Sequence, residues 1–494
     1  MTAAPELVES GFHLENADAP FLHRGLNLAD MAHVLDLSRR GLVPQEAERA
    51  LMGLLLEADA TPPDEFPYDP SLGEPYNSRE AHFVSRIGDV AGWLHAGRPR
   101  REAVRIALRL HVRRQIAELA AEAARFASVA TERAVEHVNT VMPDQTYLQQ
   151  AQPSTFGHYL LSFVYPVLRD ARRLLDELDE VDCSPGGAGC VNGTRLLDDR
   201  QGVADTLGFA GVIEHTRDAM WQVDGFVHVL ATAASLVSTL SKLAEDLEIW
   251  SSAEFDFVDL ADGFTRASVL MPQKRNPYSL AIIRGACGVL IGRISGFLAV
   301  SKSPSARSDN LIYAYGEVPR ALDLTLRTTR LATGVVRTVR VNRDRMAEEV
   351  RRGYSQATDL AEHLVQTCDI DYRTAYLIVG KVVRAASADR IPGAAITGEM
   401  VDEAAREHLG RPLGMAGHDL SGLLDPWAIV LSRDARGGAA PEEVTRMADA
   451  TSAQAGAIAA TAQRRLDAFA AADERLLAAA GAVASRTSSS EEET

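Results

Sequence analysis

The segment D-G-F-T-R-A-S-V-L-M-P-Q-K-R-N-P, residues 262–277, carries the most specific chemical pattern in the chain. It holds Ser268, then Lys274 six residues on, then Asn276, and it ends at Pro277. A serine hydroxyl is a poor base until its alkoxide is stabilised. A nearby ammonium and backbone N–H groups at a helix N-terminus are physical means of doing so. Pro277 suits the first turn of a following helix. Spacing alone also admits a plainer reading, a solvated loop in which Lys274 and Arg275 are surface charges.

Such a loop must be positioned by its neighbours, and these read as helices. Apolar residues recur at helical spacing over 103–138, 156–181, 218–250, 280–300 and 318–341, while strand-like alternation is scarce. The segment around Val223, Phe226, Leu230, Leu236, Leu243 and Leu247 is apolar on more than one face, so it must be covered by bundle neighbours or by another subunit. Turn chemistry divides the chain at 61–77, at the glycine-rich stretch 184–193, and again at 351–354. The end R-T-S-S-S-E-E-E-T is too polar to pack and is expected to be disordered.

At 494 residues the chain is long enough for about three domains. It carries 51 Lys+Arg against 68 Asp+Glu, a formal charge of −17, which opposes broad attraction to nucleic acid or anionic membranes. An anionic ligand would then need a local pocket of convergent Arg and Lys. The first twenty residues show no basic region followed by an apolar stretch, and no uncharged apolar run reaches the roughly 18 residues of a membrane span. Cys183, Cys190, Cys287 and Cys368 lack C-x-x-C spacing, which argues against a disulfide framework or a structural zinc. The expectation is a cytoplasmic protein without metal or cofactor.

Residues 267–277 closely resemble the G-S-S-x-M-P-x-K-x-N-P loop of the aspartase/fumarase superfamily, and the M-P-Q-K form followed by basic-N-P is similar to its argininosuccinate lyase branch. Residues 146–157, T-Y-L-Q-Q-A-Q-P-S-T-F-G, resemble that branch's T-H-L-Q-x-A-Q-P-x-T-x-G segment. Residues 90–100 resemble its A-G-K-L-H-T-G-R-S-R stretch, and 245–262 also look like argininosuccinate lyase sequence. The matches are colinear from about residue 80 to residue 296.

The resemblance implies an all-α, three-domain fold around a long central helical bundle. It divides into an N-terminal domain 1–102, a central domain 103–352, a C-terminal domain 353–484 and a tail 485–494. It also implies a homotetramer with active sites shared between subunits, acting on a small dicarboxylate. Ser268 falls on the family's base. Lys274 and Asn276 fall on positions that hold the carboxylate beside the carbon being deprotonated, and Gln273, Thr146, Arg100, Tyr315 and Arg320 fall on substrate-binding segments. Removing that proton builds a doubly negative aci-carboxylate, which only preorganised cations and donors make accessible.

Departures from the pattern shape the substrate expectation. Ala267 and Val269 replace a Gly and a Ser of the loop, which stiffens it and removes one hydroxyl. Tyr147 replaces a His implicated in proton transfer, so the acid is Tyr147, another residue, or none. His158 is read as packed, lying about three turns from Tyr147 along one helix, and His82, His95 and His215 are left undecided. Arg101 replaces a neutral Asn, which suits an additional anionic group on the substrate, unless it merely pairs with an acid such as Glu102. In the stretch where the branch has Y-N-K-D-L-Q-x-D-K only Tyr315 is kept, with Arg320 for Gln and Asp323 for Lys. These changes place a different N-substituted aspartate or nitrogen-bearing succinate ahead of argininosuccinate as substrate. An inactive structural homologue is the reading from outside enzymology.

Overall fold

In a computed structural model, which describes residues 3–302 and 310–486, nearly all regular structure is helical. The expected tail lies outside the described residues from 487 onward. The helices used below are α1 (Ala19–Arg39), α2 (Arg100–Glu136), α3 (Phe156–Val181), α4 (Asp224–Trp250), α5 (Tyr278–Ser301), α6 (Ala314–Thr338) and α7 (Pro441–Ala484). Four of them begin within four residues of the expected starts, and the boundary at 181 agrees. The exception is α4, because residues 222–223 leave helical geometry and set a short helix, Thr216–Trp221, apart from it.

Helix α2 is the axis of the protomer. Ala103, Ala107, Ala117, Ala120, Ala127 and Ala134 on it are at most 1% exposed. Small side chains at successive turns let neighbouring backbones approach closely. A Cβ at Gly25 of α1 would lie 2.6 Å from Ala107 Cα, so that crossing tolerates only glycine. Helices α3, α6 and α7 pack along the same axis. Cross-links fix the direction of α6: Arg105 lies over the Tyr315 ring, Gln115 donates to Pro319 O (3.1 Å), Thr333 donates to Glu122 (3.2 Å) and Arg133 donates to Val339 O (2.7 Å). Thus α6 runs parallel to α2, and their N-termini share one end of the bundle.

A separate apolar cluster is built from residues between Leu360 and Leu424, while α7 returns along α2 and α3. Helices α4 and α5 are long and apolar enough to cross a membrane by length and composition alone. In α4 the apolar stretch is 56% buried by its neighbours; in α5 only 28% is, and Ile282, Val289, Ile291 and Leu298 face outward.

The segment 141–155 departs from the helical reading. It forms an antiparallel hairpin of β1 (Val141–Thr146) and β2 (Gln149–Thr155), irregular between Pro143 and Gln145. Thr155 then caps α3, its side chain accepting from His158 N at 3.1 Å. Tyr147 and His158 therefore sit at opposite ends of a strand rather than three turns apart on one helix.

Candidate active site

The serine segment is a small hairpin pinned at its base. Strands β3 (Arg266–Ala267) and β4 (Arg275–Asn276) pair antiparallel, Arg266 opposite Asn276. Arg275 bridges Asp259 (2.7 Å) and Asp262 (2.7 Å) and donates to Leu260 O (2.8 Å), while Arg340 also pairs with Asp259. Burial pushes the Asp259 carboxyl up, but hydrogen bonds from Arg340 and Arg275 prevail and hold it below its ordinary range. Arg275 is therefore a clamp rather than a loose surface charge. Asn276 donates its amide to Arg266 O (3.0 Å), closing the hairpin.

Within this frame Ser268 Oγ accepts from Leu270 N (3.3 Å) and Met271 N (3.0 Å). Lys274 N donates to Met271 O (3.0 Å), closing a turn within the loop. Lys274 and Gln273 are exposed, and no ion pair of Lys274 occurs among the described residues. Val269, Leu270 and Met271 project outward, Val269 fully exposed. The loop thus carries a hydroxyl with donors aimed at its oxygen, a free ammonium and an apolar rim open to a partner surface.

Thr146 and Tyr147 lie at the tip of the β1–β2 hairpin. Thr146 pairs with Gln149, so Tyr147 and Leu148 form a two-residue turn, with φ of 56° and 58°. Two-residue hairpins require left-handed central residues, a conformation that costs a side-chain-bearing residue roughly 1–2 kcal/mol. Strain of this kind gathers at functional sites. Tyr147 is 98% exposed, its hydroxyl held clear of its own protomer. At the hairpin base Phe156 stacks on Tyr159 (5.8 Å), while Tyr159 meets Trp250 (4.6 Å) and Trp250 meets Phe257 (6.2 Å) at a tilt. These rings tie the hairpin to the C-terminus of α4, which leads into the serine segment.

The histidines are otherwise engaged. His158 spends its ring nitrogens on Ser154 Oγ (3.2 Å) and Gly437 O (3.1 Å). His95 meets Glu80 (3.2 Å), His215 caps the helix Thr216–Trp221, and His82 packs on Phe66.

Arg100, Arg101, Tyr315 and Arg320 gather at the other end of the bundle. Arg100 opens α2, reaching Asn77 and Glu74 (3.4 Å), and Arg101 lies 4.0 Å from Glu74. The acid near Arg101 is thus Glu74, not Glu102. Glu102 turns inward and accepts from Gly187 N (2.8 Å) and Gly189 N (2.6 Å) of the glycine-rich loop. Both glycines have positive φ (73° and 61°), which lets their amides converge on one carboxylate. Burial pushes Glu102 up to about 7, against those two hydrogen bonds. Arg320 pairs with Asp18 and with Glu317 (3.3 Å), and Asp323 pairs with Arg327 (2.5 Å). Tyr315 is buried beneath Arg105. Sequence reasoning named Glu102 only as a possible partner of Arg101 and missed Arg105 and the pairing of Asp18, although Arg101, Arg105, Arg109 and Arg113 recur at a four-residue spacing that marks one helix face.

The sites therefore form two groups. Thr146, Tyr147, Ser268, Gln273, Lys274 and Asn276 lie toward the C-terminal end of α2, and Arg100, Arg101, Tyr315 and Arg320 toward its N-terminal end. The 37 residues of α2 span about 55 Å, so one protomer cannot bring Arg100 beside Tyr147.

Comparison with known proteins follows the same outline. A sequence profile described as Lyase matches residues 66–292, and one described as Argininosuccinate lyase C-terminal matches 354–430. The argininosuccinate lyase of Methanoculleus marisnigri is 34% identical over 420 residues, covering 84% of each chain. That of Methanococcoides burtonii is 32% identical over 431 residues, covering 86% of each. Among solved structures, EDDS lyase in complex with formate superposes with a TM-score of 0.88 at 28% identity, covering 98% of this chain and 96% of that one. An EDDS lyase variant with bound fumarate gives 0.87 at 28% identity, with the same coverage.

Proposed function

Since this chain belongs to the argininosuccinate lyase branch of the aspartase/fumarase superfamily and is a carbon–nitrogen lyase releasing fumarate, we propose that Ser268 is its base and an N-substituted aspartate or other nitrogen-bearing succinate its substrate. The observation that carries this reading is the pair of backbone N–H groups donated to Ser268 Oγ. Such donors stabilise an alkoxide far more than a neutral hydroxyl, so they lower the cost of making the base. Ser268 removes the Cβ proton, electron density moves onto the adjacent carboxylate, and Lys274 with Asn276 stabilises the aci-carboxylate. The intermediate then collapses, the C–N bond breaks and fumarate leaves. In this reading Tyr147 protonates a leaving amine, whereas a group that departs as a stable anion needs no acid. No step calls for a metal or cofactor.

A homotetramer with shared sites is part of the proposal. The length of α2 supports it, because only another copy can bring an Arg100 end to a Tyr147 end. The outward apolar side chains of α5 and the exposed rim of the serine loop support it as well.

Argininosuccinate is the second reading, favoured by relatives at 31–34% identity. It ranks lower because Arg320, Glu317 and Asp323 are charged residues already paired with one another or with Asp18 and Arg327 in the stretch meant to receive the guanidinium. Ultraviolet absorbance of fumarate during incubation with argininosuccinate and a panel of N-substituted aspartates separates the readings. Turnover of argininosuccinate alone would reverse the ranking, and no turnover with any member would leave an inactive homologue.

A further inference from the structure

Arg105 lies one turn beyond Arg101 on α2, about 6 Å further along the same face. It is 5% exposed, and its Nε donates to Met220 O at 3.1 Å. Its guanidinium carbon lies 5.1 Å from the Tyr315 ring centroid. Both terminal nitrogens are buried without a hydrogen-bond partner, and no carboxylate bridges Arg105 among the described residues. Other buried arginines of the bundle are treated differently. Arg79 and Arg98 share Asp30, and Arg113 binds Asp182 at 2.9 Å. The next residue of the row, Arg109, donates only to the carbonyls of Glu180 (3.4 Å) and Val181 (3.1 Å).

An uncompensated cation inside a protein is costly, and four terminal N–H bonds without acceptors add to that cost. A chain with a net charge of −17 has no shortage of carboxylates to place there. We propose that Arg105 is a specificity-determining residue whose unneutralised charge selects substrates with an anionic group beyond the succinate core. This rests on the lyase reading and deepens it by naming the substrate class. Arg100 and Arg101, two cations sharing the single carboxylate of Glu74, the N-terminus of α2 and Arg105 behind them put positive potential at the same end of the bundle. Tyr315, buried with its ring against Arg105, keeps the guanidinium dry, and a dry charge acts over a longer distance than a solvated one. A unit anion about 7 Å away at an effective dielectric of about 20 gains a factor on the order of tens in binding.

The test compares Arg105→Met with Arg105→Lys. Fumarate release is measured for paired substrates that differ only in tail charge, N-carboxymethyl-aspartate against N-ethyl-aspartate. Arg105→Met is expected to lower kcat/KM for the anionic-tailed substrate by about ten- to a hundredfold and for the neutral-tailed one by less than about threefold. Arg105→Lys should keep most of the preference. The thermal midpoint of Arg105→Met should equal or exceed that of the parent, since the variant removes a buried unpaired charge. Equal losses on both substrates, or a lowered midpoint with the preference intact, would make Arg105 a structural residue and overturn the inference. Titration with tricarballylate and succinate reads the same charge without turnover. If no substrate is turned over yet Arg105→Met weakens tricarballylate selectively, the lyase reading fails and Arg105 stands. If turnover is normal and neither preference moves, the reverse holds.

Discussion

Replacing Ser268 by alanine removes the proposed base and leaves the frame around it. Its Oγ accepts two backbone N–H groups, at 3.3 and 3.0 Å, in a loop held by the Arg275 clamp and the Asn276 closure. A hydrogen bond to a charged acceptor contributes about 1.5–3 kcal/mol against about 0.5–1.5 kcal/mol for a neutral one, so the two N–H groups together favour the alkoxide over the hydroxyl by roughly 2–3 kcal/mol. General base catalysis is itself worth about 10²–10⁴ in rate, and the expected loss in kcat for Ser268→Ala is at least that. Because the side chain is only half-buried and the frame does not depend on it, stability should change by no more than about 0.5 kcal/mol. Fumarate release in the ultraviolet gives the rate, and thermal unfolding gives the stability. Deuterium exchange into the substrate Cβ position, followed by mass spectrometry, isolates the proton-abstraction step. A variant that retains more than about a tenth of kcat, or that still exchanges deuterium at the parent rate, would refute Ser268 as the base.

Lys274→Met keeps side-chain length and removes the charge facing the aci-carboxylate; kcat should fall by about 10²–10³ with little change in the thermal midpoint, and a purely KM effect would assign Lys274 to ground-state binding. Tyr147→Gly relieves a left-handed residue at the hairpin tip, so the protein should gain up to about 1–2 kcal/mol in chemical denaturation, while turnover of substrates with basic leaving groups falls. Glu102, pushed up to about 7 mainly by burial, binds a proton in the folded state where the unfolded carboxyl, at 4.5, has released it. Its contribution to stability therefore declines as pH rises from about 4.5 to about 7, and Glu102→Gln should remove that decline in urea-unfolding midpoints measured across the range.

Much of this protein is local in its sequence. The period of the apolar residues specifies helices because each helix face repeats every few residues, and α2, α3, α5 and α6 follow from that repeat alone. The resemblance to the family rests on short colinear motifs, the loop 267–277 the most specific of them, and these are local for the same reason. Resemblance was legible over 80–296, whereas the profiles reach 354–430 and the relatives 84% of the chain, since helices that only pack keep their period while their residues change. The hairpin at 141–155 was not legible as strands, because its pairing is set by a two-residue left-handed turn at Tyr147 and Leu148, residue types that give no turn signal.

What the tertiary structure alone decided is which charges are already spent. Arg320 meets Asp18 across 302 positions, Glu102 meets Gly187 across 85, and Arg101 faces Glu74 instead of its neighbour in sequence. Arg105 is the residue of its row with both terminal nitrogens buried and left without acceptors among the described residues. Nothing in the spacing of an arginine states its partner, because a carboxylate reaches it through the packing of helices far apart in the chain. The same holds for the division of the site residues between the two ends of α2: separation along the sequence does not report separation in space until the helices have length and direction.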